Sequence, residues 1–150
     1  MPAFDVVSKP TPGYEVVFTV RHYHDGPRSG VANFHGLPHF YECVFDEQTD
    51  DYSNLYLLTK LSQEAFDAAI ENWEIFLRWR AAFDLGKVSR ETHPTLPQDK
   101  NHYDENRRLL DQALASGRSL AKQVSGEFEV VGNPPPPRDV LTPWQVKWSP

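Results

Sequence analysis

The chain has 150 residues, of which 39% are hydrophobic and 13% aromatic, and its formal net charge is -6 at pH 7. This length fits one domain and allows about 70% of the unfolded chain's surface to be buried. The acidic balance, with a pI near 5.4, argues against a general binder of nucleic-acid backbones, which presents dense lysine and arginine surfaces.

Cysteine usage and the start of the chain bear on the compartment. Cys43 is the single cysteine, which excludes an intrachain disulfide framework and fits a reducing cytoplasm. The opening MPAFDVVSKP has neither a basic region nor a long apolar run, and no run elsewhere approaches the roughly 20 apolar residues that span a bilayer. We therefore expect a cytoplasmic protein that is neither exported nor bound to a membrane.

The N-terminal third predicts an antiparallel meander. Residues 1–13 end in KPTPG and read as a loop, and alternating apolar residues then indicate half-buried strands. DGP at 25–27 and HGLP at 35–38 predict hairpin ends, because glycine accepts positive φ and proline cannot donate to a sheet. The predicted strands cover residues 14–23, 31–34, 40–45 and 55–61, with an acidic loop at 46–51.

A long helix follows. Ser62 is a suitable N-cap, the helix is expected to reach about Leu85, and Gly86 should end it. At about 100° per residue, an apolar stripe is formed by Phe66, Ala69, Ile70, Trp73, Phe76 and Leu77. Ile75 and Trp79 fall outside that stripe, which predicts either a second packed element or an exposed apolar patch.

The rest of the chain predicts a shorter helix that begins near residues 97–100 and ends before Gly117. A strand over 120–131 follows, with Gly126 as a bulge or a close-approach point. A Pro-rich connection at 133–139 precedes a docked C-terminal segment at 140–150. The predicted fold class is α+β: a mostly antiparallel sheet of five or six strands, either open or closed into a small barrel, with a long and a shorter helix inserted before the C-terminal strands.

One polar stretch, residues 22–42, carries the candidate site. Hairpin ends can bring residues from different turns to one rim of a sheet, so an acid, a base and an anion-binding guanidinium could converge there. The residues concerned are Asp25, Arg28, His35, His39 and Glu42. The structural alternative is that they serve turn geometry and local hydrogen bonds, which is the more frequent role of such residues.

No metal or cofactor is assigned from the sequence. His35, His39 and Glu42 would offer two nitrogens and a carboxylate, but no second motif with ligand spacing completes the set. The chain has no glycine-rich phosphate loop and no G-x-S-x-G, and Cys43 lies in an aromatic strand where an inert thiol is expected.

Two residues of the long helix join the candidates. Arg80 falls on the apolar stripe, and a buried arginine needs a partner, for which Asp84 and the sheet carboxylate Glu42 both qualify. Trp79 would belong to a partner-binding surface if it is exposed.

The segment YHDGPRSG at 23–30, followed by Phe34, Gly36, Pro38, His39 and Glu42, is similar to small hypothetical bacterial proteins. The resemblance covers the first half of the chain. It implies a bacterial source and no particular activity.

The sequence favours a non-catalytic module that binds another protein, such as a regulatory, immunity or defence-related partner. The alternatives are an enzyme or a binder of a small anionic ligand at the hairpin ends, and a nucleic-acid module using Trp144, Lys147 and Trp148. Arg28, His39 and Glu42 within hydrogen-bond reach in a pocket would favour the ligand or the enzyme, whereas an aromatic patch would favour the protein partner.

Overall fold

The computed structural model describes residues 10–150, and most of the predicted N-terminal loop lies outside them. The fold is α+β, as predicted: six strands form a closed antiparallel barrel, and two helices are inserted between the fourth and fifth strands. The chain separates into two compact units. Among the described residues, the barrel unit contains residues 10–60 and 117–150, and the helical unit is Leu61–Ser116.

The strands follow one another around the barrel in chain order. They are β1 (Glu15–Tyr23), β2 (Pro27–Phe34), β3 (Leu37–Asp46), β4 (Asp51–Lys60), β5 (Lys122–Val130) and β6 (Trp144–Ser149). β6 pairs back onto β1 through Glu15 opposite Val146 and Val16 opposite Gln145, which closes the barrel. The sheet is therefore closed rather than open.

The predicted hairpin ends are confirmed, but the turns are tighter than expected. His35 and Gly36 alone connect β2 to β3, with φ of 53° and 77°, the positive values that a two-residue hairpin turn requires at both positions. Pro27 begins β2, a position where its missing N–H is tolerated. Strands β2, β3 and β4 therefore extend beyond the limits expected from their apolar residues.

Four aromatic rings fill the barrel, one from each of β3 to β6: Tyr41, Tyr56, Phe128 and Trp148. Every pair among them has ring centroids between 5.0 and 6.3 Å apart. The three polar rings of this quartet donate to backbone carbonyls: Tyr41 Oη to Thr19 at 2.9 Å, Tyr56 Oη to Pro27 at 3.1 Å, and Trp148 Nε1 to Asn33 at 2.8 Å. The interior is thus packed, with its buried donors satisfied.

Gly126 leaves room for this quartet. A Cβ at this position would lie 2.6 Å from the Trp148 ring, so the prediction of a close-approach glycine is confirmed. The C-terminal strand is docked as expected, since Trp144 is 4% and Val146 0% exposed.

The helical unit contains α1 (Gln63–Asp84) and α2, a helix that runs from Lys100 to Gly117 and so reaches the first residue of the barrel unit. The predicted N-cap is confirmed, because Ser62 Oγ accepts from the backbone N–H of Ala65 at 3.2 Å. Within residues 10–150, no helix combines the length and apolar character that a membrane span requires.

The buried face of α1 differs from the predicted stripe. Ile75 and Trp79 are 1% and 4% exposed, whereas Trp73, Phe76 and Leu77 are only half-buried. A packed loop explains the burial of Trp79: its Nε1 donates to Thr92 Oγ1 at 2.8 Å, and the His93 ring meets its face at 4.8 Å and 90°. The sequence allowed either a second packed element or an exposed apolar patch here, and for Trp79 the packed element is correct.

Candidate functional site

The strand register separates the predicted site residues along the barrel. Asp25 and Arg28 lie where β1 turns into β2, and His35 and His39 lie at the opposite end, where β2 turns into β3. Since a strand advances about 3.3 Å per residue, most of the barrel's height separates the two groups. They do not form one site.

The side chain of Glu42 lies on the opposite face of the sheet from those of Arg28 and His39. Its backbone pairs with Ser29, so its side chain points away from the face that carries Tyr41, Cys43 and Arg28. The Glu42 carboxylate instead accepts from Arg118 Nη2 at 3.4 Å.

The proposed histidine and carboxylate ligand set is not assembled. His39 and Glu42 are three positions apart on one strand and therefore face opposite sides. Among residues 10–150, no group of three or more His, Cys, Asp or Glu side chains is placed to hold a metal ion.

Asp25 has a structural role in the β1–β2 turn. Its φ is 56°, and its backbone carbonyl accepts a hydrogen bond from Arg138 Nη2. The Arg138 guanidinium also lies 5.4 Å from the centroid of the Trp144 ring. This turn is thus fastened to the residues that precede β6.

At the same end of the barrel, side chains from β1 to β4 surround the ring of Tyr52. We call this group the Tyr52 cluster: His22, His24, Arg28, Phe45 and Tyr52. His22 Nε2 and Tyr52 Oη are 3.1 Å apart, and the His24 ring centroid lies 5.7 Å from that of Tyr52. Phe45 meets Tyr52 edge-on at 5.3 Å and remains 45% exposed, so the cluster presents aromatic surface to solvent.

Arg28 is the charged member of the cluster. Its Cζ lies 4.8 Å from the Tyr52 centroid, its Nε donates to the His24 carbonyl at 2.7 Å, and its Nη1 lies 3.9 Å from Cys43 Sγ. Its guanidinium also interacts with the Tyr56 hydroxyl, where it opposes the rise in the pKa of Tyr56 that burial causes. Among residues 10–150, Arg28 forms no ion pair with a carboxylate.

Beside the cluster, the β3–β4 turn is acidic. Its carboxylates are Asp46, Glu47, Asp50 and Asp51. Phe45 and Tyr52 are paired across β3 and β4 just before this turn. This end of the barrel therefore combines exposed aromatic surface, the cation of Arg28 and a negatively charged turn.

The opposite end of the barrel carries a second polar group. Strand alternation places its side chains on the same face as the packed core residues Ala32, Tyr41, Leu58 and Val124. We call this group the basic mouth: Glu15, Phe34, His39, Lys60 and Lys122.

Phe34 forms the centre of the basic mouth. The centroid of the His39 ring lies 5.3 Å away in an edge-on arrangement, and Lys122 Nζ lies 5.9 Å from the Phe34 centroid. His39 pairs with Lys60 across β3 and β4. Burial lowers the pKa of His39, and the charges of Lys60 and Lys122 lower it further, while the Leu37 carbonyl and Glu15 act in the opposite direction.

Glu15 is held by the β2–β3 turn. Its two carboxylate oxygens accept from the backbone N–H groups of His35 and Gly36 at 2.9 and 2.8 Å. The predicted site residue His35 thus contributes its backbone, and its exposed ring lies 4.1 Å from that of Phe34.

The two candidates in the helical unit have local partners. Arg80 Nε donates to Asp84 Oδ1 at 3.1 Å, which is the local pairing that the sequence allowed. Trp79 is buried, so it does not supply the exposed apolar surface on which the hypothesis of a protein partner partly rested.

The C-terminal aromatics proposed for nucleic-acid stacking lie inside the barrel. Trp148 belongs to the aromatic quartet, and Trp144 is 4% exposed and donates from Nε1 to the Asp139 carbonyl at 2.9 Å. Trp148 packs against Tyr41, Tyr56 and Phe128, and Trp144 lies beside Tyr23 and Arg138.

Reading the sequence missed four members of the Tyr52 cluster, namely His22, His24, Phe45 and Tyr52. Tyr52 lies outside every predicted strand because the fourth strand is expected to begin at Leu55, whereas β4 begins at Asp51. The alternation of Tyr52, Asn54 and Tyr56 was the available signal.

Comparison of the chain with protein-family models, with curated proteins and with solved structures found no match.

Proposed function

We propose that the protein is a non-catalytic module that binds another protein, and that the Tyr52 cluster is its binding surface. The composition of the cluster carries this proposal. Tyrosine, phenylalanine and arginine are enriched in protein interfaces, and tyrosine and arginine among the residues that dominate binding energy. Here they are in mutual contact, with Phe45 45% exposed.

Arg28 indicates what the partner presents. Its half-buried guanidinium is held in place on the Tyr52 ring, so a carboxylate of the partner would meet a cation whose position is already fixed. The fitting occupant is a protein segment that places a carboxylate on Arg28 and an apolar side chain on Phe45.

The neighbouring acidic turn favours a protein over a nucleic acid. Asp46, Glu47, Asp50 and Asp51 would repel a phosphate backbone, whereas a protein segment can present a lysine or arginine to them. The mixed charge of this end of the barrel suits a partner of mixed charge.

The competing enzyme and ligand hypothesis required Arg28, His39 and Glu42 within hydrogen-bond reach. The register puts these side chains at different ends and on different faces of the barrel. Among the described residues, the basic mouth is therefore the place where a small-ligand role has support.

An affinity-capture experiment in the source organism tests the proposal. The wild-type protein, Phe45→Ala, Arg28→Ala and the control Leu120→Ala serve as baits, Leu120 being 83% exposed and outside the cluster. We expect one prey to be lost with Phe45→Ala and Arg28→Ala and retained with Leu120→Ala.

Calorimetry with the purified prey then measures the effect directly. Each cluster variant should weaken binding about thirtyfold, the effect of losing an interface residue worth about 2 kcal/mol. Equal affinity of the wild type and both cluster variants would refute the assignment of this surface.

A further inference from the structure

The basic mouth has an unusual charge arrangement that the protein-binding proposal does not use. His39, Lys60 and Lys122 come from three different strands, and all lie on the face that continues the barrel interior. The Lys122 ammonium and the His39 imidazole lie beside the ring of Phe34, and Lys60 is the cross-strand partner of His39.

These positive charges are not balanced within the described chain. Lys60 and Lys122 form no ion pair with any carboxylate among residues 10–150. Glu15 is the one acidic group near His39, and both of its oxygens are engaged by backbone N–H groups of the β2–β3 turn. Placing like charges together is unfavourable, and a bound anion would reverse the sign of that contribution.

We propose that the basic mouth binds a phosphate group, either free or carried by a small organic molecule. The two lysine charges exceed the single negative charge of Glu15, which leaves the mouth net positive, and lysine acts as a point-charge ligand for phosphate. The rings of Phe34 and His35, in contact at 4.1 Å, offer apolar surface to the body of a phosphorylated molecule. This site lies at the end of the barrel opposite the Tyr52 cluster. The phosphate proposal can therefore be tested independently of the proposed protein partner.

The imidazole of His39 provides a local reporter. Phosphate bound beside it offsets the two lysine charges, so the pKa of His39 should rise on binding. A second reporter is the affinity itself, measured by NMR titration with inorganic phosphate at constant ionic strength.

The variants are Lys60→Gln and Lys122→Gln, with Lys147→Gln as the matched control. Lys147 is an exposed lysine on β6 that pairs with Glu127 across the β5–β6 ladder and lies outside the basic mouth. Each mouth variant should lower phosphate affinity about tenfold, the effect of about 1.4 kcal/mol. Lys147→Gln should bind as the wild type does.

Three further ligands define the specificity. AMP tests whether a larger body adds affinity through the aromatic surface, and inorganic phosphate tests the group alone. Sulfate and citrate at the same ionic strength test whether any anion suffices. Binding of phosphate or AMP that depends on both lysines supports the site.

Two results would overturn the proposal. One is a His39 titration that phosphate leaves unchanged in the wild type. The other is an equal response to phosphate in the wild type and both mouth variants, or an equal response to sulfate and citrate, because these outcomes would indicate general screening. Circular dichroism melts confirm that each variant is folded.

Discussion

Among the described glycines, Gly30 leaves the least room for a side chain. A Cβ there would lie 2.2 Å from the carbonyl oxygen of Thr19 and 2.7 Å from Tyr41 Oη, and the φ of Gly30 is 156°. The glycine therefore permits both the close approach of β1 to β2 and the hydrogen bond of the buried Tyr41 hydroxyl.

We predict that Gly30→Ala lowers the free energy of unfolding by more than about 4 kcal/mol, the range reached when a backbone contact is obstructed. Gly36→Ala is the control, because Gly36 also has positive φ but no atom within 4 Å of its Cβ position. It should lose only about 1 kcal/mol of stability, from backbone strain. Urea denaturation of both variants separates the steric effect from the strain, and equal losses would contradict the steric explanation.

Two histidines make stability depend on pH. Burial lowers the pKa of His93, and burial with two lysines lowers that of His39. The unfolded chain has histidine pKa values near 6.5. Above that pH both states are neutral and the contribution to stability is complete; below it the unfolded state takes up protons first, and the contribution is lost as pH falls through the folded-state pKa values.

We therefore expect the urea midpoint to fall between pH 7.5 and pH 5.5, and to fall less in His93→Gln and in His39→Gln. Carboxylates titrate in the wild type and in both variants, so their contribution cancels when the pH dependence of each variant is subtracted from that of the wild type. An unchanged slope in both variants would show that these histidines do not contribute.

At the scale of elements, the aromatic quartet joins β3, β4, β5 and β6 through side chains. Tyr41 is completely buried, and burial raises the pKa of its hydroxyl well above the usual value. We predict that Tyr41→Ala costs about 3–5 kcal/mol of stability through the cavity it creates.

Tyr41→Phe keeps the ring and removes only the hydrogen bond to the Thr19 carbonyl, so its cost should be about 1 kcal/mol. Chemical denaturation of the two variants tests the relative weight of packing and hydrogen bonding. Similar losses would mean that the hydroxyl, rather than the ring, stabilises the barrel.

The order and type of the elements were accessible from the sequence, but their lengths were not. Alternation predicted β1 within one residue, and Ser62 and Gly86 marked the limits of α1. Strands β2 to β4 were predicted too short because polar and proline residues at strand ends were read as loops. Such residues are tolerated there because the ends of a barrel face solvent.

The candidate site was harder to predict than the fold. The alternation of apolar and polar residues indicates which face of the sheet a side chain occupies. Only the strand register decides at which end of the barrel it lies, as with Arg28 and His39. Barrel formation then grouped His22, His24 and Tyr52, which come from strands separated in sequence. Local periodicity carries no information on that grouping.

At the scale of the whole molecule, Gln145 lies where β6 pairs with β1 and closes the barrel. This side chain is 1% exposed; its Oε1 accepts from Thr11 N at 2.7 Å, and its Nε2 donates to Thr11 Oγ1 at 3.0 Å and to Glu129 Oε1 at 3.2 Å. The amide therefore connects the residues before β1 with β5 and β6.

We predict that Gln145→Leu lowers the free energy of unfolding by about 1–3 kcal/mol, because Thr11 N–H loses its acceptor. Closure pairs opposite ends of the chain, a contact of long sequence separation that we expect to form late in folding. Stopped-flow experiments should show faster unfolding at an almost unchanged folding rate. Gln123→Leu, at an exposed position of β5, is the control, and a slowed folding rate in Gln145→Leu would show that closure forms early.

The pairing of β4 with β5 has a consequence for how such a chain can evolve. Leu58 of β4 pairs with Lys122 of β5. The Leu61–Ser116 segment is therefore inserted in the connection between two neighbouring antiparallel strands. Insertions at such a connection do not alter the register of the strands on either side. Descendants of this chain could lengthen, shorten or exchange the Leu61–Ser116 segment while inheriting the same six-stranded frame.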